Sequence, residues 1–259
     1  MQGGYVGRLL RVDLSAGKTW DDPLPADEVL RQYIGGTGLG VKLLWDEVPP
    51  SVGPLEPGNR LIFMTGPLTG TPVPGASNGT LVSVNAETGF TVGTSHTHGL
   101  FGAYLKFAGY DGIIIQGVSP TPVYLWVHGG CAELREATAI WGKDTHETED
   151  LVKREVGEPR ASVAAIGPAG ENLIPGACVE NDYYHTAASG GMGAVMGSKR
   201  LKAMAAYGRS GIPFAQPREM VEVATEWRAR LAPSRAPAGV TSFWRVFGEN
   251  SILATKNLL

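Results

Sequence analysis

The chain is short of the features that usually announce chemistry. It holds two cysteines in 259 residues, Cys131 and Cys178. Neither has a partner at the spacing of a zinc or iron–sulfur motif, which removes a disulfide framework and a cysteine-ligated centre from consideration. Both lie in apolar runs and read as buried thiols. Positive charge is scarce as well: the net charge is −3, the isoelectric point is near 6.0, and no basic run exceeds Lys199-Arg200-Leu201-Lys202. That excludes an electrostatic hold on nucleic acid or an anionic membrane surface, and those three charges read as a solvated helix end. No stretch long enough to span a bilayer is free of charge, and Met1–Gly7 has no apolar signal core, so a cytoplasmic protein is expected. A nucleophile triad, a paired-carboxylate motif and a P-loop are all missing. Gly75-Ala76-Ser77 lacks the closing glycine of a nucleophile elbow, which argues against a free-standing hydrolase. The run Gly35-Gly36-Thr37-Gly38-Leu39-Gly40 lacks GxGxxG spacing and follows a helix, where a dinucleotide fingerprint needs a strand.

Glycine and proline are abundant instead, 36 and 18 residues in a sequence that is 43% hydrophobic. Such a chain can bury the core of one large domain, or of one domain plus a piece of another. The glycines repeat. Gly99–Gly117 lies over Gly190–Gly208 without a gap, pairing Gly99 with Gly190, Gly102 with Gly193, Ala103 with Ala194 and Gly117 with Gly208. Upstream, Gly66–Ser77 lies over Gly167–Cys178 with five of twelve positions identical. The two segments keep their order, which reads as a duplication. Two related halves would each bring one glycine turn to a shared pseudo-two-fold surface, where bare backbone N–H groups can approach a ligand. For any single glycine the alternative is turn geometry alone.

Along the chain, Tyr5–Leu14 alternates as a strand with Leu10, Val12 and Leu14 on one face, and Ser15–Lys18 is a hairpin turn. Asp27–Ile34 predicts a helix with Leu30, Tyr33 and Ile34 on one face, stopping at Gly35-Gly36, and Leu39–Val48 a second one. Strands are expected at Leu61–Met64, Thr80–Val84 and Gly112–Gln116, with a helix over Leu100–Ala108 and a hairpin of Val123–Val127 with Ala132–Leu134. Asp144-Thr145-His146-Glu147 is a capping box for a helix to Val156, which gives His146 a structural setting. Ser162–Ile166 and Gly176–Glu180 then repeat the roles of Leu61–Met64 and Thr80–Val84. Beyond Gly208, Arg218–Leu231 carries an apolar helical face of Met220, Val221, Val223, Ala224 and Trp227. The tail residues Phe243, Trp244 and Phe247 are expected to need a partner domain to bury against.

The polar material assigned to the repeat surface is Asn78, Ser95, His96, Thr97 and His98 from the first half, with His185, Thr186 and Ser189 from the second. His96-x-His98 with His185 is a candidate for a divalent metal; loop histidines bonded to backbone or to an anion are the alternative.

Several stretches taken together resemble the N-terminal domain of the aldehyde:ferredoxin oxidoreductase family of tungsten enzymes. They are Gly7–Leu14, Gly66–Thr71, Leu105–Asp111, Ile166–Leu173 and Gly193–Lys199, and the resemblance covers nearly all of the chain. It implies an α+β fold in which two pseudo-two-fold related β-sheet halves with flanking helices cradle a tungsten or molybdenum ion held by two pterin dithiolenes. Mg2+ would bridge the pterin phosphates. Residues 1–210 would form this cofactor base and 211–259 the start of an incomplete helical domain. The [4Fe-4S] cysteines would lie in further domains or a second subunit, which would pass electrons to a ferredoxin-type carrier. The cofactor-facing positions implied are Asn78, Gly79, Ser95, His96, Thr97, His185, Thr186, Ala188 and Ser189, with Ser95, His96 and Thr186 nearest the magnesium.

The departures from the family pattern are specific. Arginines that the family places after the Gly66-Pro67 loop and in an HRAAGRGG turn are here Asn78-Gly79 and His185-Thr186-Ala187-Ala188-Ser189-Gly190-Gly191. Loss of guanidinium forks removes bidentate partners for phosphate. The resemblance therefore implies part of an oxidoreductase acting on aldehydes or related carbonyl compounds, incomplete and inactive without the further domains. The alternatives are a non-catalytic remnant or assembly module that keeps the fold, and a fragment of a benzoyl-coenzyme A reductase-like catalytic subunit. No acid or base is assigned.

Overall fold

A computed structural model describes residues 3–231. The first half opens with a hairpin, β1 (Arg8–Asp13) and β2 (Lys18–Pro23), followed by helices α1 (Asp27–Tyr33) and α2 (Gly36–Glu47). Three antiparallel strands come next, β3 (Leu61–Thr65), β4 (Gly79–Val84) and β5 (Val92–Thr97), then helix α3 (Phe101–Phe107) and strand β6 (Gly112–Gln116). β6 returns between β1 and β3, parallel to the first and antiparallel to the second, giving the order β2-β1-β6-β3-β4-β5.

The second half repeats this plan. Hairpin β7 (Val123–His128) and β8 (Cys131–Glu136) precedes helix α4 (Thr145–Val156) and strand β9 (Ser162–Ala165). After the short helix α5 (Pro168–Glu171) come β10 (Val179–Asn181), β11 (His185–Ala187), helix α6 (Met192–Ser198) and β12 (Leu201–Tyr207). The order β8-β7-β12-β9-β10-β11 matches that of the first sheet strand for strand. Single bonds repeat too: Thr65 N–H donates to Asp111 O at 3.0 Å, and Ile166 N–H, its counterpart, to Lys202 O at 3.1 Å. Gly99–Gly117 and Gly190–Gly208 thus share one helix-to-strand fold, as the glycine repeat predicts.

The layering explains the long apolar runs. One core cluster joins the inner faces of both sheets, among them Phe63, Ile113, Leu125 and Met204, with Phe101 and Leu105 of α3 and Val195 and Met196 of α6. The outer face of the first sheet carries α1 and α2 over Ile62, Met64 and Ile114; that of the second packs Tyr124, Val163 and Ala205 against Val152 of α4. A strand covered on both faces has no solvent side, so β3 is buried at every position and reads as a continuous hydrophobic run.

Four sequence expectations are corrected by packing. Helix α2 begins at Gly36 and takes in Gly38 and Gly40, because a Cβ on Gly40 would meet Val82 Cγ2 at 2.7 Å and one on Gly38 the Tyr33 carbonyl at 2.4 Å. Ile34 leaves the apolar face of α1; it is 57% exposed with φ +60°. Cys131 is exposed and Cys178 partly so, the first because it starts the edge strand β8 beside a solvent-facing turn.

Lys199 and Lys202 are not a solvated helix end, for both are fully buried. The Lys199 ammonium donates to Asn59 O at 2.7 Å. That of Lys202 donates to Lys143 O and Ile166 O, each at 2.7 Å, and pairs with Glu171. Carbonyls and a carboxylate replace the water that burial removes. Burial still pushes the Lys199 ammonium down to about 8. Lys106, also buried, donates to Gly66 O at 3.0 Å. Each Gly-Pro loop is therefore held at its start by a lysine from within the core.

After β12 the backbone crosses α3 so closely that a Cβ on Gly208 would lie 2.0 Å from the Phe107 carbonyl carbon. Helix α7 (Pro217–Leu231) buries Ala224 and leaves Val221 and Trp227 about half exposed, at 52% and 49%. Phe243, Trp244 and Phe247 lie outside the described residues. Among the described residues no helix is long and apolar enough to cross a membrane.

Candidate cofactor-facing seam

The two sheets meet where β5 and β11, the outermost strands on corresponding edges, come together. In β5 the register sets Ser95 opposite Leu81 and His96 opposite Thr80; in β11 it sets His185 opposite Asn181 and Thr186 opposite Glu180. Ser95 and His185 hold equivalent places in the two ladders, as do His96 and Thr186. The contacts between halves are reciprocal. The Ser189 amide, in the turn after β11, donates to Ser95 Oγ at 3.0 Å. His185 in turn lies against the turn after β5, where a Cβ on Gly99 would approach its Cδ2 to 2.9 Å. An interface in which i meets j and j meets i is the mark of a two-fold axis.

Residues that sequence reasoning did not single out lock this seam. Buried Asn181 accepts from Thr97 Oγ1 and donates to His98 O at 2.8 Å. Asp182 accepts the Leu100 amide at 2.6 Å and the Ser162 hydroxyl at 2.6 Å. The signal for them was the Asn-Asp pair before Tyr183, a turn-forming dipeptide at the end of a strand. Asp182 and Tyr183 both have positive φ, +50° and +64°, and the turn is held by Glu149 Oε2 accepting the Tyr183 amide at 3.0 Å. Two of the turn amides, those of Ser189 and Leu100, close the seam from within, so not every amide of the glycine turns is directed at a ligand.

The nine candidate positions divide in two. Ser95 and Thr97 are buried in the seam, at 1% and 3% exposure. Asn78, His96, Thr186, Ala188 and Ser189 are exposed and His185 is half-buried. Gly79 is buried beneath the Phe63 ring, whose Cζ would stand 2.2 Å from an added Cβ; its role is packing. Successive strand residues point to opposite faces, and His96 accordingly turns away from Ser95. Its ring nitrogens face Thr80 Oγ1 at 3.2 Å and Thr37 Oγ1, in the first turn of α2, at 3.5 Å. Thr186 shares its face with Glu180, which accepts from Thr145 Oγ1 at 2.6 Å. The structure therefore does not bring Ser95, His96 and Thr186 to one point.

Nor do His96, His98 and His185 form a three-ligand metal centre, since among the described residues no three His, Cys, Asp or Glu side chains converge. His98 and His185 do approach, with ring centroids 6.4 Å apart. Burial, then the neighbouring His185 and His96, hold the His98 imidazole below its ordinary value.

The donor set consists of hydroxyls, one amide and imidazoles, with no lysine or arginine bonded to any of the nine among the described residues. Three clefts, of about 340, 550 and 140 Å³, lie elsewhere, under α7, beside Tyr183 and between Trp45 and Phe90, and none of the three is lined by these positions. The seam is an open wall.

A duplicated two-sheet α+β domain, closed on a reciprocal seam of short polar side chains and glycine turns, is the class that fold and site define. Residues 9–208 match the family model for the aldehyde ferredoxin oxidoreductase N-terminal domain, and the chain belongs to that family. It is 38% identical over 260 residues to the tungsten-containing aldehyde ferredoxin oxidoreductase of Pyrococcus furiosus, covering 98% of this chain and 43% of that protein. It is 42% identical over 236 residues to the protein of the same name in Pyrococcus abyssi, covering 91% and 39%. Among solved structures, the active site complex BamBC of benzoyl coenzyme A reductase with 1,5-dienoyl-CoA is similar at a TM-score of 0.84 and 37% identity, over 92% of this chain and 37% of that one. The chain thus spans less than half the length of these relatives.

Proposed function

We propose that this chain is the cofactor-base part of a tungsten bis-pterin oxidoreductase that oxidises aldehydes or related carbonyl compounds. The observation that carries the reading is the reciprocal seam, in a chain of a family whose similar members are named as tungsten-containing aldehyde ferredoxin oxidoreductases. When bound, a tungsten–pterin group supplies two-electron redox chemistry at a carbonyl carbon. The residues present fit that group in part. Neutral donors such as Asn78, Thr186 and Ser189 suit the edges of a pterin ring, while nothing bonded at the seam matches the charge of its phosphates. No reaction step is assigned to the seam; its residues would orient the pterin from one side. The opposite wall, the phosphate charges, the [4Fe-4S] cluster and the contact with a ferredoxin-type carrier fall to the remaining length seen in the relatives. Mg2+ on the phosphates would rely on hydroxyl and carbonyl oxygen and on water.

A second reading, a non-catalytic module that keeps the fold, draws on one observation, that among the described residues no lysine or arginine is bonded at the seam. The test is to produce the chain together with a segment equivalent to the rest of a relative's length and to measure tungsten and pterin content beside Ser189→Arg. Cofactor present, and raised in the variant, is expected, because a charge-assisted bond to phosphate contributes on the order of 1.5 to 3 kcal/mol. Absence of cofactor from both proteins supports the non-catalytic module. Turnover with a thioester rather than an aldehyde would move the substrate toward that of the benzoyl coenzyme A reductase relative.

A further inference from the structure

We propose that His98 and His185 form a divalent transition-metal site bridging the two halves of the fold, at the edge of the seam that the tungsten reading assigns to the cofactor. The chain has five histidines, and three have ring nitrogens engaged. His96 lies between Thr80 and Thr37, His128 faces Glu133 at 3.1 Å, and His146 faces the Tyr183 carbonyl at 2.8 Å. Among the described residues, the His98 and His185 rings have no hydrogen-bond partner and lie near each other, at 6.4 Å between centroids and 66° between planes. They come from opposite halves and meet beside the two-fold axis.

Both are anchored where a ligand would need them. His185 sits in the β11 ladder opposite Asn181, and the His98 carbonyl accepts from the same Asn181 side chain at 2.8 Å. Gly99, at φ +79°, brings the His98 turn so close that a Cβ there would meet Asp182 Oδ2 at 2.3 Å and Asn181 Nδ2 at 2.6 Å. Asn181 therefore fixes the backbone at both positions, holding the His98 carbonyl with its side chain and pairing with His185 in the ladder.

A metal about 2.0–2.1 Å from an imidazole nitrogen lies roughly 3.2 Å from that ring's centroid, so two ligands at a tetrahedral angle place the centroids about 5 Å apart. The observed 6.4 Å exceeds this by roughly 1 Å, so binding requires the exposed His98 ring to move inward. Neutral imidazoles select borderline cations such as Zn2+ or Co2+ over Mg2+, which prefers oxygen. Since no third His, Cys, Asp or Glu converges among the described residues, water completes the shell.

The test titrates the full chain with Zn2+ against a chelating indicator at neutral pH and records the thermal midpoint with and without metal. One Zn2+ per chain and a metal-dependent rise in midpoint are expected. His98→Ala and His185→Ala should each weaken binding at least about tenfold and abolish the rise, while His128→Ala changes neither. If an alanine variant fails to fold, His98→Asn and His185→Asn take its place. No binding by the unaltered chain, unchanged binding after loss of either histidine, or equal loss in His128→Ala would overturn the proposal.

Discussion

The two halves of the molecule share a backbone plan and differ in what fills it. Asp111 and Lys202 occupy one place in the repeat, each with its carbonyl accepting an amide at the end of a strand, that of Thr65, the last residue of β3, or of Ile166, the residue after β9. Their buried side chains carry opposite charges. Asp111 accepts the amides of Val6 and Gly7 at 2.9 and 2.8 Å, whereas Lys202 gathers two carbonyls and Glu171. Packing diverges in the same way. Phe63 over Gly79 in the first sheet corresponds to Ala164 and Val179 in the second, bulk having moved from one strand to its neighbour. Backbone hydrogen bonds tolerate any side chain, so a duplicated ladder persists while its core volume and buried charges are reassigned locally.

The comparison breaks most readily at the buried charges. Lys202→Met leaves Glu171, whose side chain is 5% exposed, without its counter-ion, and a loss of about 3–5 kcal/mol is expected in denaturant unfolding. Restoring neutrality with Lys202→Met and Glu171→Gln together should recover most of it. If the single variant lost less than about 1 kcal/mol, the pair would be ornamental and the charge difference between halves without consequence.

Packing provides the next contrast. Gly79→Val writes the second half's residue into the first, against the Phe63 ring, and should destabilise by about 3 kcal/mol. Adding Phe63→Ala, the second half's partner, should remove part of that penalty, a coupling that a double-mutant cycle measures. Strict additivity would show that the two positions do not trade volume.

The smallest effect concerns Lys199, which has Ala108 as its counterpart in the first half. Its ammonium is held down from 10.5 to about 8 by burial, so between those values the unfolded chain binds the extra proton. Stability attributable to this residue should therefore rise with pH, by about 2 kcal/mol from pH 8 to 10, and stay level below pH 8. Unfolding followed across that range in the parent chain and in Lys199→Met should show the rise only in the parent; identical pH profiles would count against a charged, buried Lys199.

Much of the fold was legible in the residues. Apolar runs such as Ile113-Ile114-Ile115 marked strands, Asp144 marked the start of α4 by accepting the Glu147 amide at 2.7 Å, and the paired glycine segments announced two equal halves. The candidate seam was legible in part. Gly99 and the residues after β11 fell where the repeat put them, yet Asn181 and Asp182, which hold the seam closed, were passed over because their partners across the seam lie more than eighty positions away in the chain.

What the sequence determined by itself was the duplication and the family, since glycine and proline act on the local backbone and keep their spacing whatever surrounds them. Tertiary structure alone decided that Lys199 and Lys202 are buried, that Ser95 faces the seam while His96 faces α2, and that His98 meets His185. Each of these depends on groups brought together from distant parts of the chain, and desolvation, which sets the value of a charge or a hydroxyl, exists only once those parts are packed.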